Sequence, residues 1–585
     1  MKLITNQQIA NILKEISFLL EMEEDSSFRS RAYEKAALII ESLDQSLIDI
    51  YNSGGLKAIE KIPGIGKSLA LKIEELIKTG KLKYFEDLKK QTPINLDELT
   101  KIEGLGPKSI KKLYQKLKIK NLDDLEKAAY RGQIRKLEGF GQKSEEKILK
   151  AIEFAKKNKG RFILGFIMPL VKQIEANLKN LPEIKNVDVC GSIRRRKETI
   201  GDIDILVSLK NENNQKDIKK VMSFFTTMPE VEYVYAKGDT KSSIRLSIGI
   251  DVDLRIIPQK SYGAALNYFT GSKDHNIALR QIALKKGYKL NEYGLFDKNG
   301  RQVAGSTEKE LYEFLGLQYI PPEMRENVGE IDLALKNKIP KLIDYNEIYG
   351  DLQVQTNWTD GSASIEEMAN AALKLGLRYI AITDHTKHLA MTGGLDDKKI
   401  EKQWQEIDKL NLKFKNQGFK ILKGTECDIL LDGSLDLKDK TLQKLDIVGV
   451  SIHSHFNLPK IEQTKRIIKA ITNPYVNILF HPTCRILQKR ESIQADWDEI
   501  IKTAKKYNVV LEIDAFPDRL DLNSDLIRKC VNEGVKMSVD SDAHSTNHFS
   551  FLEYGISEAR RGWARKEDII NAWPLEKMLS FLKKN

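Results

Sequence analysis

The sequence predicts three architectures in one chain: an all-helical N-terminal region, a central α+β domain and a C-terminal parallel α/β barrel or sheet. Three observations carry this reading. A glycine hairpin recurs three times among helical runs within residues 1–160. Short β-rich runs (VDVCGS, IDILVSL, EYVYA, SIRLSIG, IDVDLRIIP) cluster within 185–260. From about residue 347, strands and helices alternate, as they do around a parallel barrel. A length of 585 residues fits several such domains.

Composition narrows the class. With 41% hydrophobic and 30% charged residues, the chain is neither a disordered tract nor a fibre. No run approaches the roughly 18 apolar residues of a membrane span. The N-terminus MKLITNQQIANILKEISFLLEMEED lacks the pattern of an export signal. Cys190, Cys427, Cys484 and Cys530 are too few and scattered for a disulfide framework. A cytoplasmic protein is expected, with no membrane association and no protein partner evident.

The helical region comes first. Its three repeats are IPGIGKSLALKI (62–73), IEGLGPKSIKKL (102–113) and LEGFGQKSEEKIL (137–149). Each Gly-x-Gly pair (Gly64 and Gly66, Gly104 and Gly106, Gly139 and Gly141) lets the backbone approach a ligand closely. The helix start that follows offers free N–H groups to a phosphate oxygen, and Lys67, Lys108 and Lys143 add positive charge. Residues 51–200 carry 34 Lys+Arg against 19 Asp+Glu, whereas residues 201–585 carry 56 against 55. The basic surplus therefore coincides with the hairpins, the electrostatic footprint of a polyanion partner.

The central domain carries the strongest chemical signal, CGSIRRRKETIGDIDILVSL (190–209). Asp202 and Asp204 stand two apart on an expected strand, so both face one side. Two hard carboxylates on one face suit Mg²⁺, and a third should come from a neighbouring strand, with Asp253 the candidate. Such a trio can hold two metals for nucleotidyl transfer. Ser192, Arg195 and the backbone around Gly191 are placed to hold a triphosphate. Asp251, on the same strand face as Asp253, is expected to be solvated or salt-bridged.

These residues resemble the family X DNA polymerases (polymerase beta-like) over nearly all of 20–316. The resemblance rests on RAYEKAALII (31–40), IPGIGKSLALKIEELIKTGKL (62–82), GSIRRRKETIGDIDILV (191–207), KGDTK (237–241), IDVDLRIIP (250–258) and NYFTGSKDHN (267–276). It implies helix–hairpin–helix motifs in the helical region and a nucleotidyltransferase palm with a nucleotide-selecting thumb. Asp202, Asp204 and Asp253 would bind Mg²⁺ or Mn²⁺, with Asp253 as proton acceptor. Gly201 would belong to the nucleotide site. Tyr268 and Phe269 would flank the deoxyribose, the Gly271 backbone would approach the incoming nucleotide, Asn276 would reach the minor-groove edge and Arg280 the template. Lys72 matches the Schiff-base lysine of relatives, though Arg29 and Ser68 stand where relatives carry other basic side chains.

The last element is the barrel. Seven of the eight histidines follow residue 380, several at strand ends beside carboxylates: ITDHT, GTECD, SIHSH, FHPT and DSDAH. Imidazole with carboxylate suits Zn²⁺ or Mn²⁺. Over 347–577 these motifs resemble a PHP domain, implying a distorted (β/α)7 barrel with up to three metals and 3′–5′ exonuclease or abasic-site endonuclease activity. Asp360, His385 and His544 would hold one metal. Glu426, His453 and His481 would hold a second, and Asp542 belongs to the third. The family's first-strand His-x-His is here Gln353-Val354-Gln355, so two metals are expected to be retained, the third to be weak or missing, and nuclease activity to be reduced or lost.

The expected domains are 1–85 (helical, DNA-binding, lyase-like), 86–158 (fingers with helix–hairpin–helix motifs), 159–260 (palm), 261–318 (thumb), 319–346 (linker) and 347–580 (PHP). The reading is a DNA-directed polymerase filling short gaps in gapped or primer–template duplex from dNTPs. The alternatives are a polymerase with a non-catalytic barrel, and an RNA or small-molecule nucleotidyltransferase.

Overall fold

In the computed structural model, residues 4, 6–22, 27–41, 43, 45–100, 102, 105–157 and 160–583 are described. The chain divides into two units, residues 1–159 with 485–492, and residues 160–484 with 493–585.

Helices build the first unit, nine of them among the described residues of 1–159. The glycine hairpins work as backbone devices. Gly64 has φ +85°, and a Cβ there would come within 2.4 Å of the Ile39 side chain. Gly66 then N-caps Lys67–Thr79 and Gly106 N-caps Pro107–Leu117, both without a capping side chain, which leaves first-turn N–H groups without an intrahelical acceptor. Behind each turn, Ile65, Leu69 and Ile73, then Leu105, Ile110 and Leu113, enter one apolar core. Gly139 also has positive φ, with Gln142–Lys157 following Gly141. Gly104 lies outside the described residues.

The second unit opens with a five-stranded mixed sheet in the order Ile184–Val189, Asp202–Leu209, Asp251–Ile256, Lys241–Leu246, Val231–Lys237. Asp202–Leu209 and Asp251–Ile256 run parallel, and the other neighbours are antiparallel. Tyr262–Thr270 and Lys273–Lys285 lead to a small three-stranded sheet and the helix Glu308–Phe314.

Residues 319–346, expected as a linker, are packed instead. Ile320, Met324, Ile331, Ala334 and Leu342 join the same apolar core as Leu279, Leu295 and Tyr312. The charges that suggested a solvated tract are buried and paired: Arg325 with Glu308 (2.5 Å) and Glu330 with His275 (2.7 Å).

Seven parallel strands follow in sequence order, Gly350–Val354, Tyr379–Ile382, Lys420–Asp428, Ile447–Ser451, Ile478–Leu479, Val510–Asp514 and Met537–Asp540. The sheet curls until the chain just beyond the last strand meets the first: Val354 bridges Ala543, and Gln355 N–H donates to Ala543 O (2.8 Å). This is a nearly closed seven-stranded barrel with helices outside. Gly449 is required where the Phe480 ring crosses its strand, since a Cβ there would lie 1.8 Å from the ring. Gly449→Ala should destabilise the full chain by about 1–3 kcal/mol, read as a lower urea midpoint for the barrel transition.

Candidate functional site

Two centres sit on the sheet and barrel of the second unit. The first is built by strand register. Asp204 lies opposite Asp253, and Asp202 opposite Asp251, on adjacent parallel strands, so their side chains share one face. Asp251 is held by Arg245 in a two-point pair (2.7 and 2.9 Å). Asp253 accepts from Ser243 Oγ (2.6 Å) and pairs with Lys241 Nζ (2.7 Å), with Arg255 at 3.9 Å.

Asp204 is the strained member. Burial first, then the charges of Asp202 and Asp253, push its carboxyl up to about 6. The chain crosses directly above it at Gly191 (φ +63°), where a Cβ would stand 2.9 Å from Asp204 Oδ2. Cys190 N–H donates to the Asp204 carbonyl (2.8 Å), fixing the entry to that loop. Mutually repelling carboxylates without enough cations of their own are a donor set suited to hard divalent ions.

Around this trio lie the other residues singled out from the sequence. Gly191–Arg194 forms one helical turn beginning at the Gly191–Ser192 pair. Arg194 pairs with Glu308 (2.7 Å), and Arg195 pairs with Glu326 (3.1 Å) and donates to the Thr270 carbonyl. Gly201 precedes the strand carrying Asp202 and Asp204. Phe269 lies under the Arg255 guanidinium (4.6 Å) and meets Tyr268 edge-on, with Tyr268 half-exposed. Gly271 (φ +71°) passes Arg195, whose Nη1 would be 3.0 Å from a Cβ. Asn276 is turned inward: it is buried and donates to the Tyr268 carbonyl (2.7 Å), while Arg280 reaches back to the Asn276 carbonyl (3.4 Å).

In the first unit, Lys72 sits between the Tyr33 and Tyr84 rings (5.9 and 5.4 Å) and donates to Ser68 Oγ (3.1 Å). Burial, then Arg29, lower its pKa.

The second centre occupies the C-terminal ends of the barrel strands. Asp360, His385 and His544 bring one donor atom each within 4.8 Å of one another, and so do His385, Glu426 and His453. Glu426 is the hub. His481 Nε2 (2.8 Å) and His453 Nε2 (3.1 Å) meet its Oε1, and His385 Nδ1 lies 3.3 Å from Oε2. Burial opposes its charge, but these imidazoles outweigh that and hold Glu426 well below the usual carboxylate range. His453, despite burial, is lifted to about 9 by Asp428 and Glu426, whereas burial and Arg519 press His481 down to about 4.

The third position differs. Gln353 is fully buried with neither amide atom hydrogen-bonded, and Gln355 Nε2 donates to Glu426 Oε2 (2.8 Å), leaving its own oxygen without a hydrogen bond. Asp542 joins neither donor group. It faces Arg519 (3.6 Å) and His544 Nδ1 (3.8 Å), and Arg519 also reaches Asp514 (3.4 Å).

Sequence reasoning missed Ser243, Lys241, Arg255 and Arg519 as members of these centres. KGDTK and IDVDLRIIP contain Lys241 and Arg255, and Ser243 could have been found by alternation, two residues beyond Lys241 on a strand.

The fold and both centres define a nucleotidyltransferase palm followed by a metal-binding phosphoesterase-type barrel. Family models match in the same order: a helix-hairpin-helix domain (4–82), a SAM-like helix-hairpin-helix tandem (96–153), the DNA polymerase beta palm (167–240), the DNA polymerase beta thumb (265–326) and a PHP domain (351–516). The chain is 38% identical over 582 residues to DNA polymerase/3'-5' exonuclease PolX of Bacillus subtilis, covering 99% of both. It is 27% identical over 357 residues to DNA polymerase lambda of Arabidopsis thaliana, covering 55% of this chain and 62% of that one. A probable phosphatase of Thermoanaerobacter sp. matches 38% of the chain at 32% identity, over 88% of its own length. The protein belongs to the family X DNA polymerases that end in a PHP domain. Among the described residues, no helix is long and apolar enough to cross a membrane.

Asp204→Asn tests the repulsion. Because the native pKa of Asp204 is raised above the unfolded value near 3.8, ionisation opposes folding above about pH 6 and does nothing below about pH 4. Without divalent metal, the amide variant should melt several degrees higher at pH 8, a gain on the order of 2 kcal/mol that disappears at pH 4.

Proposed function

We propose that this protein fills short gaps in DNA by template-directed addition of dNTPs, with Asp202, Asp204 and Asp253 as the acidic trio of the reaction. The single observation that carries the reading is the register of Asp204 against Asp253 with Asp202 on the same face. Mg²⁺ or Mn²⁺ held by these three would stabilise the charge on the attacking 3′ oxygen and the leaving pyrophosphate. The residues do the rest. Asp253 is read as accepting the 3′-hydroxyl proton. Ser192, Arg195 and the Gly191 backbone hold the triphosphate, and Tyr268 with Phe269 lines the sugar. The glycine-capped helix starts with Lys67 and Lys108 grip the DNA backbone without reading sequence. Lys72 meets one requirement of Schiff-base chemistry, a lowered pKa. No disulfide links the four buried cysteines, which fits a cytoplasmic location.

For the barrel, the reading is a 3′ nuclease centre reduced to two metal positions. Asp360, His385 and His544 would hold one Zn²⁺ or Mn²⁺, and Glu426, His453 and His481 the other. At the third position two neutral amides replace imidazole, and the Arg519 guanidinium between Asp514 and Asp542 repels a further cation. A purely bracing barrel is the second reading, favoured by its ion pairs with the palm, such as Lys172–Glu553 (2.6 Å).

On a gapped duplex, Asp253→Asn should slow single-nucleotide insertion about 10³-fold. The wild type should need more Mg²⁺ for half-maximal rate as pH falls through about 6, because Asp204 must lose its proton to bind metal. Unimpaired insertion by the variant would remove the polymerase reading. In an Asp202→Asn/Asp204→Asn background, the unmodified barrel should retain two metals per chain by elemental analysis. Adding Gln353→His with Gln355→His should raise that to three and speed digestion of a recessed 3′ end. Three metals already present in the unmodified barrel would contradict the two-metal reading.

A further inference from the structure

One helix of the barrel domain, Leu552–Arg561, has two committed faces. On the inner face, Gly555 packs so tightly on the barrel that a Cβ would lie 2.7 Å from both Ala515 and Val539. The helix is therefore a fixed part of the barrel wall. On its outer face, ionic side chains reach the polymerase half of the same unit. Glu553 meets Lys172 (2.6 Å) and Arg196 (3.0 Å), and Tyr554 donates to the Gly165 carbonyl (3.2 Å). Arg560 meets Glu323 (2.7 Å).

Arg561 makes the most consequential contacts. Its Nη1 donates to the main-chain carbonyl of Arg195 (2.9 Å) and lies 3.4 Å from Glu326 Oε1. The same Glu326 oxygen holds Arg195 Nε at 3.1 Å. Glu558, one turn back, pairs with Arg561 (3.3 Å), and both side chains are at most 5% exposed. A chain of alternating charge, buried at its Glu558–Arg561 end and half-buried at the other, thus runs Glu558, Arg561, Glu326, Arg195. It ends on the residue that, with Ser192, is read as the triphosphate cradle. Arg561 fixes that cradle twice, through the backbone of Arg195 and through the carboxylate that aims its guanidinium.

We propose that Arg561 of the barrel domain is a positioning residue of the polymerase centre, holding the 191–196 loop and the Arg195 side chain in the orientation that receives the dNTP triphosphate. Arg561 touches no substrate. It acts through Glu326 and the Arg195 carbonyl, so the barrel is part of the nucleotide site whether or not its own metals cut DNA. The proposal rests on the cradle reading of Ser192 and Arg195, and the test separates the two.

Arg195 binds the triphosphate in ground and transition states alike, so loosening it should act on KM rather than kcat. In single-nucleotide gap filling by the full chain, Arg561→Ala should raise the dNTP KM on the order of tenfold, as expected for weakening one contact to a charged group. The kcat should stay within about twofold, and affinity for gapped DNA should not change. Arg561→Lys keeps the charge beside Glu326 and should recover much of the KM. Glu326→Gln, at a less buried site, should raise KM similarly and guards against a folding failure in Arg561→Ala. Arg195→Ala is run in parallel. If it raises KM while Arg561→Ala and Glu326→Gln do not, the positioning role is wrong and the cradle stands. If Arg195→Ala leaves KM unchanged, the cradle reading falls and takes this proposal with it. A drop in kcat and DNA affinity together with KM in both Arg561→Ala and Glu326→Gln would also overturn it, as damage to the fold at large.

Discussion

Like charges forced together govern this molecule. Parallel pairing of Asp202–Leu209 with Asp251–Ile256 puts four aspartates on one face of two strands. A sheet offers no freedom to relieve that repulsion, because shifting register by one residue would turn every side chain to the wrong face. Two of the four are answered individually. Asp251 is neutralised by Arg245, and Asp253 is shared by Ser243 and Lys241. Asp204 receives no such partner and carries the raised pKa. The cluster is strained in the direction that a divalent cation would relieve.

The barrel solves the related problem of burying a carboxylate with the opposite device. Glu426 is surrounded by imidazoles rather than acids, and its charge is stabilised before any metal arrives. Gln355 still donates a hydrogen bond to Glu426, so the hub keeps a partner where an imidazole is missing. Neither amide atom of the buried Gln353 side chain has a hydrogen-bond partner. A buried amide without partners costs about 1–3 kcal/mol, which a folded domain of this size can carry.

Much of this was legible from residue order. The Asp-x-Asp alternation announced its own face, glycine pairs announced helix starts, and strand-end histidines announced the barrel rim. Each of these is a local pattern. What escaped was set by contacts distant in sequence. Residues 319–346 read as a linker because Pro321–Pro322 and many charges look solvated, yet Arg325 and Glu330 are buried with partners at Glu308 and His275. Composition cannot distinguish a charge facing water from one facing a counter-charge. Arg519 carries no local signal, since it faces Asp514 and Asp542, which the closed barrel brings near. The hydrogen bond from Asn276 to the Tyr268 carbonyl likewise depends on how helix Lys273–Lys285 turns back on Tyr262–Thr270.

The ion pairs joining the barrel helix to the palm follow the same logic one level up. Buried charge pairs are weak sources of stability, because desolvation consumes most of the attraction, and apolar replacements often serve as well. Their advantage is directional. An apolar contact between helix Leu552–Arg561 and the 191–196 loop would tolerate sliding by an ångström at little cost. Arg561 bonded to a carbonyl and close to a carboxylate tolerates far less, since displacement would leave a buried charge unpaired. On the proposed reading, the 191–196 loop would hold Gly191 against Asp204 and present Arg195 to a triphosphate, with only one helical turn to do so. A loop so short cannot set its own geometry, and the charged chain from the barrel supplies the rigidity that its sequence lacks.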